Sequence, residues 1–242
     1  MNYANNIDFN KIIPKYKINT EPFPHAKISN LFSDELFGLI NNNIEKRLND
    51  PYFCNKLNED YHDDLKKLQK YGKTPAIAFH KNRWEELGLG LDLYDSLDNL
   101  LTKKRSEIFN YFLQNRFSQN YSNQIFFNFT PPNLNFPIHF DTFAKTWTLA
   151  YSIYPKINRG TILYDRNKKF SKEGEWNLNS GLAFCPKDNL TWHSYNNPSK
   201  SQFRVMLIMN ILRPNKKLPK TRFLNRFINK LHNSFNRLKF YD

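Results

Sequence analysis

The chain is poor in the residues that punctuate, cross-link or anchor a protein. Seven glycines and two cysteines occur in 242 residues. Cys54 and Cys185 stand far apart, so neither a disulfide framework nor a cysteine metal cluster is on offer. Cys185 sits in an apolar run and reads as a buried thiol. No apolar stretch approaches the length of a membrane span. The first residues include Asn5, Asn6 and Asp8 and lack the apolar centre of a signal peptide. Together these absences predict a reducing, cytoplasmic setting. Acidic side chains are scarce mainly at one end. Of the net charge of +14, about +8 lies in residues 213–242, which hold nine Lys or Arg and one acid. The body of the chain is therefore only mildly basic, and its charge does not argue for nucleic acid.

Aromatic residues are plentiful instead, with 22 Phe and 13 Tyr. Such side chains suit a pleated, half-buried surface and fill a β-rich core. The length is that of one large domain, or of a domain with extensions. The periodicity divides it. His25 to Ser29 reads as a strand. Ser33 is an N-cap candidate, followed by Asp34 and Glu35 in the favourable first turn. Leu36, Ile40, Ile44 and Leu48 then recur at helical spacing, and Asp50-Pro51 ends the run. Residues 51–84 mix charge and aromatics without a clear period. Asp92 to Phe117 reads as helix in two pieces. After residue 120 the signal changes to short aromatic or β-branched runs, at Gln124–Thr130, Trp147–Tyr154, Gly181–Cys185 and Phe203–Leu212. Helices first and strands later predict an α+β fold with the helices on one sheet face. From Thr221 the apolar residues Leu224, Phe227, Ile228, Leu231, Phe235 and Leu238 share a helical face, with basic residues beside it. That is a basic amphipathic helix, which can dock on the domain, on an anionic membrane or on an acidic partner.

Chemistry concentrates in the β-rich half. His139 and Asp141 are two residues apart, so in an extended segment over 137–142 both point to one side, with Phe140 turned away into packing. One imidazole and one carboxylate can then bind the same ion, and His193 can supply a third ligand from a distant strand. Two histidines and a carboxylate leave open positions on a metal, the arrangement that non-haem Fe(II) oxygenation requires. Arg204 follows His193 by eleven positions and can pair bidentately with a carboxylate. Lys200 is a poorer choice, because Asn-Pro-Ser-Lys-Ser reads as a turn. His25, His62, His80 and His232 have no carboxylate in a comparable setting and read as structural or exposed.

His-X-Asp, a later His and a basic residue about one strand beyond it resemble the pattern of the 2-oxoglutarate and Fe(II)-dependent oxygenases, especially the prolyl-hydroxylase-like branch. His139, Asp141, His193 and Arg204 match it position by position. Glu21 to Leu36 is similar to the opening strand and helix of these enzymes. Arg159-Gly160-Thr161 sits where the family often carries a two-glycine turn, and this chain has one glycine there. The resemblance covers roughly residues 20–212. It implies a double-stranded β-helix, or jelly roll, over 121–212, supported by helices within 20–120 and followed by the basic extension 213–242. It also implies Fe(II) on His139, Asp141 and His193, with 2-oxoglutarate reaching Arg204 and O2 as cosubstrate. Tyr151 is the candidate hydroxyl beside Arg204, and Asn128 faces the same region. The implied activity is hydroxylation of a C–H bond in an amino-acid residue or small molecule, releasing succinate and CO2. Asp141 argues against halogenation. Asn210 stands where a nucleic-acid demethylase subgroup carries a second Arg. The competing class is a non-catalytic jelly-roll binding module tethered by its basic tail.

Overall fold

The computed structural model describes residues 3–13, 18–69, 77–113, 120–141 and 144–214. The basic amphipathic segment expected from residue 221 lies outside them. Among the described residues no helix is long and apolar enough to cross a membrane.

The Ser33 hydroxyl accepts a hydrogen bond from the Leu36 amide at 3.2 Å and opens helix α1 (Asp34–Leu48). Leu36, Ile40 and Ile44 form its buried stripe, as the spacing predicts. The segment without legible period holds a second helix, α2 (Pro51–Gln69). Proline at its start costs nothing, because the first turn leaves its amides unbonded anyway. Helix α3 (Leu91–Leu113) is continuous rather than split. Arg105 lies buried between Leu101 and Ile108 on its inner side. It donates to the Asn123 side chain and the Tyr121 carbonyl, so a charged residue carries the stripe across the expected break.

Among the described residues ten strands follow the chain in order: β1 (His25–Ser29), β2 (Ile77–Phe79), β3 (Ser122–Thr130), β4 (Leu134–His139), β5 (Lys145–Tyr154), β6 (Ile162–Tyr164), β7 (Phe170–Glu173), β8 (Ser180–Phe184), β9 (His193–Asn197) and β10 (Arg204–Leu212). They form two antiparallel sheets, ordered β1-β8-β5-β10-β3-β2 and β4-β9-β6-β7. The mixed helix and two-sheet architecture matches the expected α+β jelly roll.

The larger sheet has two unlike faces. Phe127, Phe129, Leu149, Tyr151, Leu207 and Met209 alternate onto one face and join the helices in a single apolar core. Asn128, Thr130, Thr148, Ser152, Arg204 and Asn210 occupy the other face and are buried as well. That second face meets the smaller sheet. Asn128 reaches Tyr195 on β9, the Asn197 amide donates to the Thr130 carbonyl at 3.0 Å, and Phe184 on β8 packs against His193. A polar space between two sheets is thus built into the strand alternation.

Glycine is rare, and where it occurs in the sheet it is needed for close approach. A Cβ on Gly181 would lie 2.4 Å from the Ala150 carbonyl oxygen and 2.8 Å from the Tyr151 Cα. The clash is with backbone of β5, which cannot step aside. Gly181→Ala is expected to destabilise the protein by about 2–4 kcal/mol, measured by urea unfolding. Unchanged stability would show that β5 and β8 can move apart freely.

Candidate metal centre

His139 and His193 are direct cross-strand partners on β4 and β9. Their rings lie 4.3 Å apart, centroid to centroid. Each Nδ1 sits 2.9 Å from a backbone carbonyl, Pro137 for His139 and Thr191 for His193. A carbonyl only accepts, so each Nδ1 carries the proton and each Nε2 keeps its lone pair. Such anchoring fixes both tautomer and ring direction, as metal-binding histidines require. Burial pushes His139 down to about 4, with the neighbouring His193 adding to it, and burial likewise depresses His193. Both rings are neutral at pH 7 and ready to donate nitrogen.

Asp141 completes the cluster by a different local route from the one expected. Strand β4 ends at His139, so Asp141 follows the strand instead of lying within it. Phe140 still turns aside, edge-on to Trp192 at 4.8 Å. One ligand atom from each of His139, Asp141 and His193 lies within 4.8 Å of the others. The Asp141 carboxylate is 8% exposed and accepts from the Lys145 ammonium at 2.6 Å and the Thr148 hydroxyl at 3.3 Å. Burial works to raise its pKa, but Lys145 and the two histidines outweigh it and hold the group below its ordinary range. Thr148 is also 2.9 Å from the Asn210 side-chain oxygen, and Asn210 reaches Gln124 at 3.0 Å. Neither Lys145 nor this polar chain was legible as part of the site. Two neutral nitrogens and one carboxylate form the donor set of a facial-triad iron site.

Further along the inner face lies Arg204, fully buried. Its Nε, Nη1 and Nη2 all lack a hydrogen-bond partner. The Asn128 side-chain oxygen is also unpaired, and Thr130 Oγ1, though near Tyr195, makes no hydrogen bond. Thr130 is the cross-strand partner of Arg204, and Asn128 shares its face of β3. Burial lowers the guanidinium to about 10, so it remains charged at pH 7. Arg204 lines a cleft of about 740 Å3, open mouth included, with Ala150, Leu182, Met206, Lys172 and Trp176. His25 is buried on the wall of that cleft and donates from Nδ1 to the Phe23 carbonyl.

Tyr151 is a correction. It pairs with Leu207 and Gly181 and therefore projects to the helix-facing side of the sheet, opposite to Arg204. Its hydroxyl accepts from the Leu31 amide at 2.8 Å and donates to Asn179, whose backbone and side-chain oxygens lie at 2.5 and 2.7 Å. Burial pushes its pKa up. The hydroxyl beside Arg204 belongs instead to Thr130, which spacing from Asn128 would have revealed had the inner face of β3 been known. Tyr195 was likewise missed, although it is two residues beyond His193 on the same strand face.

No protein-family model matches the chain, and no curated protein matches it by sequence. Solved structures match its fold. A dioxygenase for auxin oxidation from rice is 12% identical, with 79% of this chain and 74% of that chain covered and a TM-score of 0.50. A prolyl hydroxylase from Trichoplax adhaerens, in complex with a hypoxia-inducible-factor peptide fragment, is 10% identical, with 87% of each chain covered and a TM-score of 0.49. A prolyl-4-hydroxylase from Pseudomonas putida is 10% identical, covering 79% of this chain and 93% of that one, with a TM-score of 0.46. The chain has the fold of the rice dioxygenase.

Two outcomes are expected from this geometry. Because His139 is depressed from 6.5 to about 4, the unfolded chain binds its proton first on acidification. Stability of the metal-free protein is then complete above 6.5 and falls as pH drops towards 4, by on the order of 2 kcal/mol from this group. Urea titrations across that window should show the loss, and His139→Ala should reduce it. Tyr151→Phe should cost about 1–3 kcal/mol of stability by leaving the Leu31 amide without an acceptor.

Proposed function

We propose that the protein is an Fe(II)- and 2-oxoglutarate-dependent dioxygenase that hydroxylates an unactivated C–H bond of an amino-acid residue or small molecule. One observation carries the reading. Arg204 is a buried cation with three unpaired nitrogens, beside two more unpaired polar atoms, in the same inter-sheet space as the His139, Asp141 and His193 cluster. An isolated buried charge costs several kcal/mol. A carboxylate supplied by a ligand removes that cost and accepts two parallel hydrogen bonds from the guanidinium.

The residues divide the work by position. His139 and His193 hold Fe(II) through Nε2, and Asp141 adds the anionic ligand. Arg204 receives the distal carboxylate of 2-oxoglutarate, with Thr130 in the role expected of Tyr151. Asn128, whose oxygen is unpaired, faces the same ligand. When bound, the iron and the 2-oxo acid supply the oxidative chemistry, in which O2 and 2-oxoglutarate give one substrate hydroxyl, succinate and CO2. The chain itself fixes ligand direction, keeps the cosubstrate end out of bulk water and orients the substrate. Asn210 is fully buried and bonded to Thr148 and Gln124, so that position offers no second cation for a nucleic-acid substrate.

Anaerobic addition of Fe(II) and 2-oxoglutarate to the intact protein should give a weak visible charge-transfer band, and air should then release succinate. His139→Ala and Asp141→Ala should lose both signals, with succinate release falling by at least about a hundredfold. A band of wild-type strength in those variants would sink the assignment.

A further inference from the structure

Arg204 is fully buried and hydrogen-bonds to nothing, yet it is not loose. Its guanidinium carbon lies 4.8 Å from the ring centre of Trp176 and 4.7 Å from that of Tyr195. Both rings are themselves fixed. The Trp176 indole donates to the Pro155 carbonyl at 2.9 Å. Tyr195 stacks on Phe136 with centroids 4.6 Å apart and an 18° interplanar angle, and its hydroxyl meets the Asn128 amide at 3.4 Å. Ring faces attract a cation through their quadrupole, and the more so when the pair is desolvated. They occupy none of the five N–H donors. An acidic side chain in their place would steady Arg204 equally well, but would take up the donors and cancel the charge.

Trp176 reaches this position because its segment is packed down on a glycine. A Cβ on Gly160 would stand 1.8 Å from the Gly174 carbonyl oxygen, and the Gly174 amide donates to the Thr161 carbonyl at 2.8 Å. Next to Trp176, Glu175 is tied to Lys27 on β1 at 2.5 Å. The segment thus bridges the open edges of the two sheets and closes the cleft over Arg204.

We propose that Trp176 and Tyr195 form an aromatic clamp that positions Arg204 for the distal carboxylate of the 2-oxo acid, making them determinants of cosubstrate selectivity. Neither residue need touch the reacting atoms. The clamp selects a 2-oxo diacid over a 2-oxo monoacid of similar length, because only the diacid brings an anion to the held guanidinium. This rests on the cosubstrate reading above, and the two can fail separately.

The test uses the full chain loaded with Mn(II), titrated calorimetrically under anaerobic conditions with 2-oxoglutarate and with 2-oxovalerate, which lacks the distal carboxylate. Trp176→Leu is expected to weaken 2-oxoglutarate binding at least tenfold while changing 2-oxovalerate binding less than twofold. Mn(II) affinity should be retained, and Trp176→Phe should recover most of the selectivity. Gly160→Ala, which displaces the segment without altering either ring, should give the same loss of selectivity. If Trp176→Leu keeps the wild-type preference while Arg204→Gln loses it, the clamp is overturned and the cosubstrate reading stands. Equal weakening of both acids in Trp176→Leu and in Trp176→Phe also overturns the clamp, since that is general collapse of the pocket. If Arg204→Gln binds 2-oxoglutarate as tightly as the wild type, the cosubstrate reading itself falls and the clamp with it.

Discussion

Strand β10 runs through the middle of the larger sheet and serves two environments at once. Val205, Leu207, Met209 and Ile211 seal the helix-facing core, while Arg204 and Asn210 are driven into the space between the sheets. The side-chain period of two leaves no intermediate choice. A chain that commits four consecutive apolar alternates to a core must present the residues between them to the other side. Here that side is enclosed by a second sheet, so Arg204, the Asn128 side-chain oxygen and the Thr130 hydroxyl are buried without being satisfied, while Asn210 finds Thr148 and Gln124. The site is the space where the fold places donors and acceptors that it does not pair internally.

The same alternation sets how far the sequence could be read. His139, Asp141, His193 and Arg204 were legible because their identities and order are chemically unusual, whatever the register. The spacing argument set Asp141 beside His139, and the structure brings the two together although the strand stops two positions earlier. Tyr151 was misplaced because its face depends on pairing. Opposite Leu207 it turns to the helices, and one step of register would have turned it to Arg204. Asn128, opposite Met206, falls on the inner side by the same rule. Contacts made by irregular segments were out of reach altogether. Nothing local marks Trp176 as the partner of a residue 28 positions on, or Lys145 as the partner of Asp141.

The helical half shows the complementary limit. Helix α1 declared itself through Ser33 and a regular stripe. In α2 the described buried positions are few, so the period was drowned by Asn, Asp and Lys. In α3 the buried Arg105 interrupted an otherwise apolar stripe, and only its tertiary acceptors, the Asn123 side chain and the Tyr121 carbonyl, explain why the helix continues. Helix propensity and periodicity see the chain one turn at a time, whereas these outcomes were decided by the sheet lying underneath.

The contact between Lys145 and Asp141 alters the charge of the whole centre. The three proposed metal ligands carry one negative charge, on Asp141, and an ammonium 2.6 Å away offsets it. A divalent ion seated there keeps nearly its full attraction for an incoming anion. Arg204 adds a further buried cation on the inner face of the larger sheet. The His139, Asp141 and His193 cluster is therefore less negative than its donor set alone suggests, and Arg204 stands without a countercharge bonded to it. A dianion with a charge at each end fits that field in a way that water or a monoanion does not.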